Sequence, residues 1–380
     1  MKPPLPTIQN QVAPDVIDLG LGDPPLSLLP LDLIREAAQT RLSQSDNSFL
    51  QYGVEQGDGN FRLTLAIFLS KGYGFEVKPE SLFVTNGISK AVDLICTLFT
   101  QAGDTIFVEE PTYFLALRIF ADHHLNVISI DTDENGLIIE SLEEKLAEFH
   151  PKFLYLIPTF QNPTGTTLPQ ERRDRLVKLA QEYDFIIAAD EVYHLLSYNQ
   201  TPPKSFAAYT DTEYVISLGS FSKILAPGLR LGWLQAHPEK IKRFNTCGFL
   251  DSGGGLNPFT SAIVSGIIES GGLENNINTL IDVYSSRIKV MDSALQQHLP
   301  DLKYATPRGG YFFWLSLPAK IDTKELRKNV QSFKVDFRPG TLFSSKGGLR
   351  NYIRLCYVHY EEREIEEGIR RLKQCLQSNY

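Results

Sequence analysis

"SLGSFSKILAPGLRLGW" (residues 217–233) decides how the chain is read. A largely apolar run ends at Ser220, Lys223 follows, and Arg230 stands seven residues beyond the lysine. A buried strand that runs into a serine–lysine turn puts an amine at the edge of a sheet. A lysine that is deprotonated often enough can attack a carbonyl there.

Upstream, the same apolar pattern recurs in "SLFVT" (81–85), "DTIFVE" (104–109), "NVISI" (126–130), "KFLYLIP" (152–158), "FIIAAD" (185–190) and "YVISLGS" (214–220), with "LGWLQA" (231–236) after the lysine. Amphipathic stretches alternate with these runs, a β–α rhythm that predicts an α/β fold with a mostly parallel seven-stranded sheet. The runs are apolar almost throughout, as strands buried on both faces require. Several end in polar groups: Asn86, Asn162, Asp190, and Ser220 with Lys223. Ligands of open α/β sheets bind outside the carboxyl ends of the strands, so these distant residues are expected in one crevice. Beyond residue 275 a long helical pattern leads into "GGYFFWLSL", "YIRLCYV" and the charged "EEREIEEGIRRLKQCL". The expected organisation is a large domain over 45–282 and a smaller α+β domain built from 1–44 and 283–380.

Composition narrows the function. The 380 residues carry a net charge of −8 with no basic run, which argues against a nucleic-acid partner. Cys96, Cys247, Cys356 and Cys375 are scattered without ligand spacing, so neither a metal site nor a disulfide framework is expected. The start "MKPPLPTIQNQVAP" has prolines where a signal peptide needs an apolar helix. No run approaches the roughly 18 apolar residues of a membrane span. A cytoplasmic protein with no membrane partner is expected.

"SFSK" followed by "PGLR" resembles the cofactor-lysine segment of the class I/II aminotransferases, which are fold-type I pyridoxal-phosphate enzymes. The family's other motifs have counterparts in its order: "TNGISKAVDL" (85–94), "EEPTYF" (109–114), "PTFQNPTG" (158–165), "ADEVYHLL" (189–196) and "NYIRLCY" (351–357). The resemblance spans nearly the whole chain. It is closest to the aminoadipate-type branch through the lysine segment, the Tyr52-Gly53 segment and "SGGGLNPFTS" (252–261).

What the resemblance implies is a site for pyridoxal 5'-phosphate in which each residue type has a physical reason. Lys223 forms the Schiff base with the cofactor aldehyde and serves as the proton-transfer base. Asp190 lies beneath the ring nitrogen, where a carboxylate favours the protonated ring. Asn162 and Tyr193 donate to the ring oxygen, and Tyr113 packs on the ring face. Gly87, Ile88 and Ser89 open a helix whose N-terminus suits a phosphate dianion, and Ser220, Ser222 and Arg230 supply further contacts. Ile88 is bulkier than the residue common in relatives, but its amide donates regardless. Tyr52, in "FLQYGVEQGDGNFRLTLAIFL" (49–69), matches the tyrosine that reaches the phosphate of a neighbouring subunit, which implies a homodimer with shared sites. Phe61-Arg62 replaces the leucine–arginine pair common there. Arg354, with Asn162 and with Gly22 close by, would hold the substrate carboxylate.

The activity implied is transfer of an amino group between an L-amino acid and a 2-oxo acid by a ping-pong Schiff-base mechanism. The alternative is an eliminating or cyclising enzyme acting on a hydroxylated or cationic amino acid, since the cofactor contacts are shared. A third reading, the cofactor-sensing domain of a transcription regulator, needs a DNA-binding domain ahead of "VIDLGLGDPP" (16–25), and the expectation is that no room exists for one. Asp23, His194 and Arg308 are candidates for side-chain recognition, each with a structural reading beside it: Asp23, for example, suits a turn.

Overall fold

The structure, a computed structural model, describes residues 8–198 and 200–378. Residues 1–7, which begin the proline-rich start discussed above and the stretch assigned to the small domain, lie outside the described residues, as do 199 and 379–380.

Strand β1 (Ile17–Asp18) belongs to the N-terminal segment. The large sheet follows, with β2 (Leu82–Thr85), β3 (Thr105–Glu110), β4 (Asn126–Asp133), β5 (Gly136–Leu137), β6 (Phe153–Leu156), β7 (Ile186–Asp190), β8 (Val215–Ser220) and β9 (Gly232–Ala236). Their spatial order is β2-β9-β8-β7-β6-β3-β4-β5. The pairs from β4 through β3, β6 and β7 to β8 are parallel, whereas β9 runs antiparallel to both β8 and β2.

The seven strands expected from sequence are all present, and β5 adds an eighth. It pairs antiparallel with the end of β4, matching Thr132 to Leu137 and Asp133 to Gly136. A two-residue strand behind a polar turn has no periodicity to read, which is why the sequence pattern passes over it.

Alternation along the strands separates two cores. Phe107, Leu154, Leu156, Ile187, Ala189 and Val215 face one layer. Ile106, Val108, Phe153, Tyr155, Ile186, Ala188 and Ile216 face the other. Each large apolar side chain buried in this way contributes about 1.5–3 kcal/mol relative to exposure. Polar side chains therefore collect where the strands end.

A second sheet has the order β10-β13-β12, from β10 (Phe312–Ser316), β12 (Arg338–Pro339) and the central β13 (Tyr352–Cys356). Strand β11 (Val335–Asp336) pairs in parallel with β1, carrying the N-terminal segment to this part of the molecule. The helix Gly272–His298 packs on the C-terminal helix Glu362–Ser378, while the helix Leu31–Leu42 packs on Pro258–Glu269. No helix among the described residues is long and apolar enough to cross a membrane.

One close approach ties the sheet to the turn after β2. A Cβ on Gly232 would lie 2.7 Å from the Gly219 carbonyl oxygen, 2.9 Å from Gly87 Cα and 3.2 Å from Thr85 Oγ1. Backbone cannot yield as a flexible side chain can. Gly232→Ala is expected to destabilise the protein by about 1–3 kcal/mol through overpacking, measured by chemical denaturation.

Candidate active site

A cavity of about 550 Å³ opens beyond the carboxyl ends of the large sheet. Gly22, Ile88, Ser89, Tyr113, Asn162, Asp190, Tyr193, Ser220, Ser222, Lys223, Arg230 and Arg354 all line it. Residues more than 330 positions apart in sequence, Gly22 and Arg354, are thereby brought together. Gly87 lies at its edge, next to Arg230.

At one end, Gly87 caps the helix Ile88–Phe99 with φ of +83°, a conformation that favours glycine. Gly87 has no side chain to cap this helix, and among the described residues its first amides remain available as donors. A Cβ on Gly87 would sit 2.9 Å from Arg230 Nη2 and fill the recess between them. Arg230 donates to the carbonyls of Asn86 at 3.1 Å and Pro227 at 3.2 Å. Ser220 and Ser222 share a hydroxyl contact of 2.9 Å. The result is a cup of donors with a permanent positive charge.

Lys223 lines the same cavity. Its Nζ donates to the Gly22 carbonyl at 2.6 Å and lies 5.0 Å from the Tyr311 ring centroid. Burial lowers its pKa, against the opposing charge of Asp23. Asp190 ends β7 almost fully buried, and burial raises its pKa to about 6 despite a hydrogen bond from the Tyr155 hydroxyl at 2.7 Å. Tyr113 is also pushed up, to about 12, chiefly by burial.

On the far side, Arg354 reaches in from the central strand of the second sheet. Its Nη1 donates to Asn162 Oδ1 at 2.9 Å and its Nη2 to the Gly20 carbonyl at 2.7 Å. The guanidinium lies 3.9 Å from the Phe312 ring centroid, and burial lowers its pKa to about 10. Its Nε is buried without a hydrogen-bond partner among the described residues. A buried, partly unsatisfied guanidinium facing a cavity has the chemistry of a carboxylate receptor.

The segment Gly20–Asp23 lies along this cavity. A Cβ on Gly22 would be 3.2 Å from the Phe312 ring. Asp23 lines the cavity and accepts from Asn10 Nδ2 at 2.6 Å. The other two recognition candidates lie elsewhere: His194 is buried against Glu191 and Tyr73, and Arg308 is exposed beside Gln200. Tyr52 is 84% exposed and does not enter the cavity of its own chain.

Sequence reasoning passed over Tyr155, Glu109 and Gln161. A tyrosine inside an otherwise aliphatic buried strand signals a hydroxyl that needs a partner, and that signal was available in "KFLYLIP". Glu109 accepts from the Ile157 amide at 2.9 Å and from Gln161 Nε2 at 3.3 Å. Gln161 in turn accepts from the Thr164 amide and hydroxyl, which fixes the turn carrying Asn162.

A family profile described as aminotransferase class I and II matches residues 14–372. Aromatic-amino-acid aminotransferase 1 of Thermococcus litoralis is 37% identical over 375 residues, 95% of this chain and 88% of that protein. The kynurenine aminotransferase of Pyrococcus horikoshii, solved with PMP, superposes with a TM-score of 0.90 at 35% identity, covering 96% of this chain and 91% of that one. The α-aminoadipate aminotransferase of Thermus thermophilus, complexed with N-(5'-phosphopyridoxyl)-L-leucine, gives a TM-score of 0.88 at 30% identity, covering 96% and 93%.

The fold and cavity define a pyridoxal-phosphate enzyme. The chain belongs to the class I and II aminotransferase family, and its relatives favour amino-group transfer over elimination or cyclisation. The residues present fit that cofactor. The recess that a Gly87 Cβ would fill, the Arg230 charge beside it and the buried Lys223 amine meet the needs of a phosphate and an aldehyde.

The Glu109 carboxyl is pushed from 4.5 up to about 8, mainly by burial. The fold thus favours its neutral form. Its contribution to stability is full below about pH 4.5 and is lost as pH rises through about 8. Glu109→Gln, neutral at every pH, is expected to flatten this part of the decline in melting temperature of the cofactor-free protein and to gain on the wild type above pH 8. Melting curves across this range test it.

Proposed function

We propose that this aminotransferase binds pyridoxal phosphate through Lys223 and takes L-amino acids with large apolar or aromatic side chains as donors. The observation that carries the reading is the buried Lys223 amine in one cavity with the Arg230 cup and the Arg354 receptor. When bound, the cofactor supplies an aldehyde for the amino group and an electron-withdrawing ring that stabilises negative charge at the substrate Cα.

The chain supplies position and proton handling. Gly87, Ile88, Ser89, Ser220, Ser222 and Arg230 would hold the phosphate, Tyr113 would pack on the ring, and Asn162 and Tyr193 would donate to the ring oxygen. Asp190 would favour the protonated ring nitrogen. Arg354 and Asn162 fix the substrate carboxylate so that the Cα–H bond faces Lys223, whose burial-weakened basicity suits it to take that proton. Leu21, Phe114, Leu115 and Phe312 supply apolar lining for the substrate side chain. The aromatic-amino-acid and kynurenine aminotransferases named above, and the leucine adduct held by the α-aminoadipate enzyme, support the same donor class.

The domain reading extends from the same geometry: 45–282 as the large cofactor-binding domain, and 1–44 with 283–380 as the small one, bridged where the helix Leu31–Leu42 packs on Pro258–Glu269. The active form is a homodimer in which Tyr52 reaches the partner's phosphate. Exposed Leu50, Tyr52, Val54 and Phe259 support this, because the Gly53–Gly255 bridge and the Phe49–Phe259 contact bring their segments together. Four buried free cysteines support a cytoplasmic location.

Incubating the loaded enzyme with single amino acids and identifying the products by mass spectrometry tests the reaction and the donor class. Aromatic donors are expected to yield their 2-oxo acids, and preference for small or charged donors counts against the assignment. Lys223→Ala is expected to lose the borohydride-reducible link and roughly 10³-fold in kcat. Sedimentation is expected to give twice the 42.8 kDa chain mass. Tyr52→Phe should keep that mass while weakening cofactor binding by about tenfold.

A further inference from the structure

Tyr155 stands in β6 between Leu154 and Leu156, fully buried, with its ring centroid 5.6 Å from that of Phe120. A phenylalanine would meet the packing requirement equally well. The hydroxyl therefore needs its own reason, and its partner is a carboxylate: it donates to Asp190 Oδ2 at 2.7 Å. The other carboxylate oxygen, Oδ1, accepts only a longer contact from the Val192 amide, at 3.3 Å. Among the described residues, Tyr155 is the side chain that hydrogen-bonds Asp190.

We propose that Tyr155 is a positioning residue for the cofactor ring nitrogen, fixing Asp190 through Oδ2 and keeping it an anion beneath the ring. The inference rests on the assignment of Asp190 to that nitrogen. A carboxylate in wholly apolar surroundings would tend to hold the proton itself, leaving the ring neutral and a poorer electron sink. Donation to the charged form opposes that tendency. Lys223 also favours the anion, while Glu191 disfavours it, and Glu109 and Tyr113 are held neutral partly by Asp190's charge. Tyr155 itself remains a donor because burial, with Asp190 beside it, raises its pKa far above the usual phenol value.

The test is the ring nitrogen's own resonance. Wild type and Tyr155→Phe are loaded with pyridoxal phosphate labelled with 15N in the ring and compared at neutral pH by solid-state NMR. The wild type should show the pyridinium position and the variant a shift toward neutral pyridine. The variant's kcat should fall about tenfold while KM for the donor changes less than about twofold, because the donation acts on the ring rather than on substrate binding. A pyridinium in both proteins overturns the role of Tyr155 alone. A neutral ring in the wild type overturns the Asp190 assignment and this inference with it. If Tyr155→Phe does not fold, 3-fluorotyrosine placed at 155 keeps the size and strengthens the donor. It should move the acid titration of the Asp190 carboxyl, sensed in the ring-nitrogen resonance, to lower pH than in the wild type, and an unchanged titration overturns the proposal.

Discussion

A sheet with apolar side chains on both faces can hold a charge only where its strands stop, and this constraint shapes the molecule. Strands β6, β7, β8 and β9 are buried along their whole length. The polar groups around the large sheet that face the cavity come at the last residue of a strand, as with Asp190 and Ser220, in the turn beyond it, as with Asn162 and Lys223, or at the start of the following helix, as with Ser89. Charge at that edge remains partly desolvated. That is why Lys223 and Asp190, and Arg354 facing them from β13, have pKa values displaced by burial toward the neutral form.

Each displaced group has a compensating contact from another part of the chain. Tyr155 donates to Asp190 across adjacent strands, with Leu156 of β6 paired to Ala189 of β7. Asn162 receives Arg354 from the second sheet, so the turn after β6 and the central strand β13 share one hydrogen bond. Arg338, the cross-strand neighbour of Arg354, is in turn paired with Asp18 through two contacts of 3.0 Å. The N-terminal segment is thereby anchored beside the cavity it lines.

Most of this was legible in the sequence because it depends on order along the chain. The apolar runs gave the strands, and polar residues at their ends gave the crevice. The motif around Lys223 supplied the chemistry. What escaped depends on backbone or on neighbours across the sheet. Glycine carbonyls leave no mark on a sequence, so the acceptors for Lys223 and Arg354 could not be named. Tyr155 lies 35 residues from Asp190 and meets it only because β6 and β7 pair in one register. His194 and Arg308 have side chains suited to recognition, yet their neighbouring elements direct them away from the cavity.

The carbonyls of Gly20 and Gly22 already occupy donors of the two cations. A carboxylate that takes the Gly20 contact on Arg354 replaces a neutral acceptor with an anion at an atom already removed from water. Recognition at this edge is therefore a competition with the chain's own backbone. Ligands that accept no better than a peptide carbonyl gain nothing at that atom, so the segment itself sets a lower limit on how strong an acceptor must be to displace it.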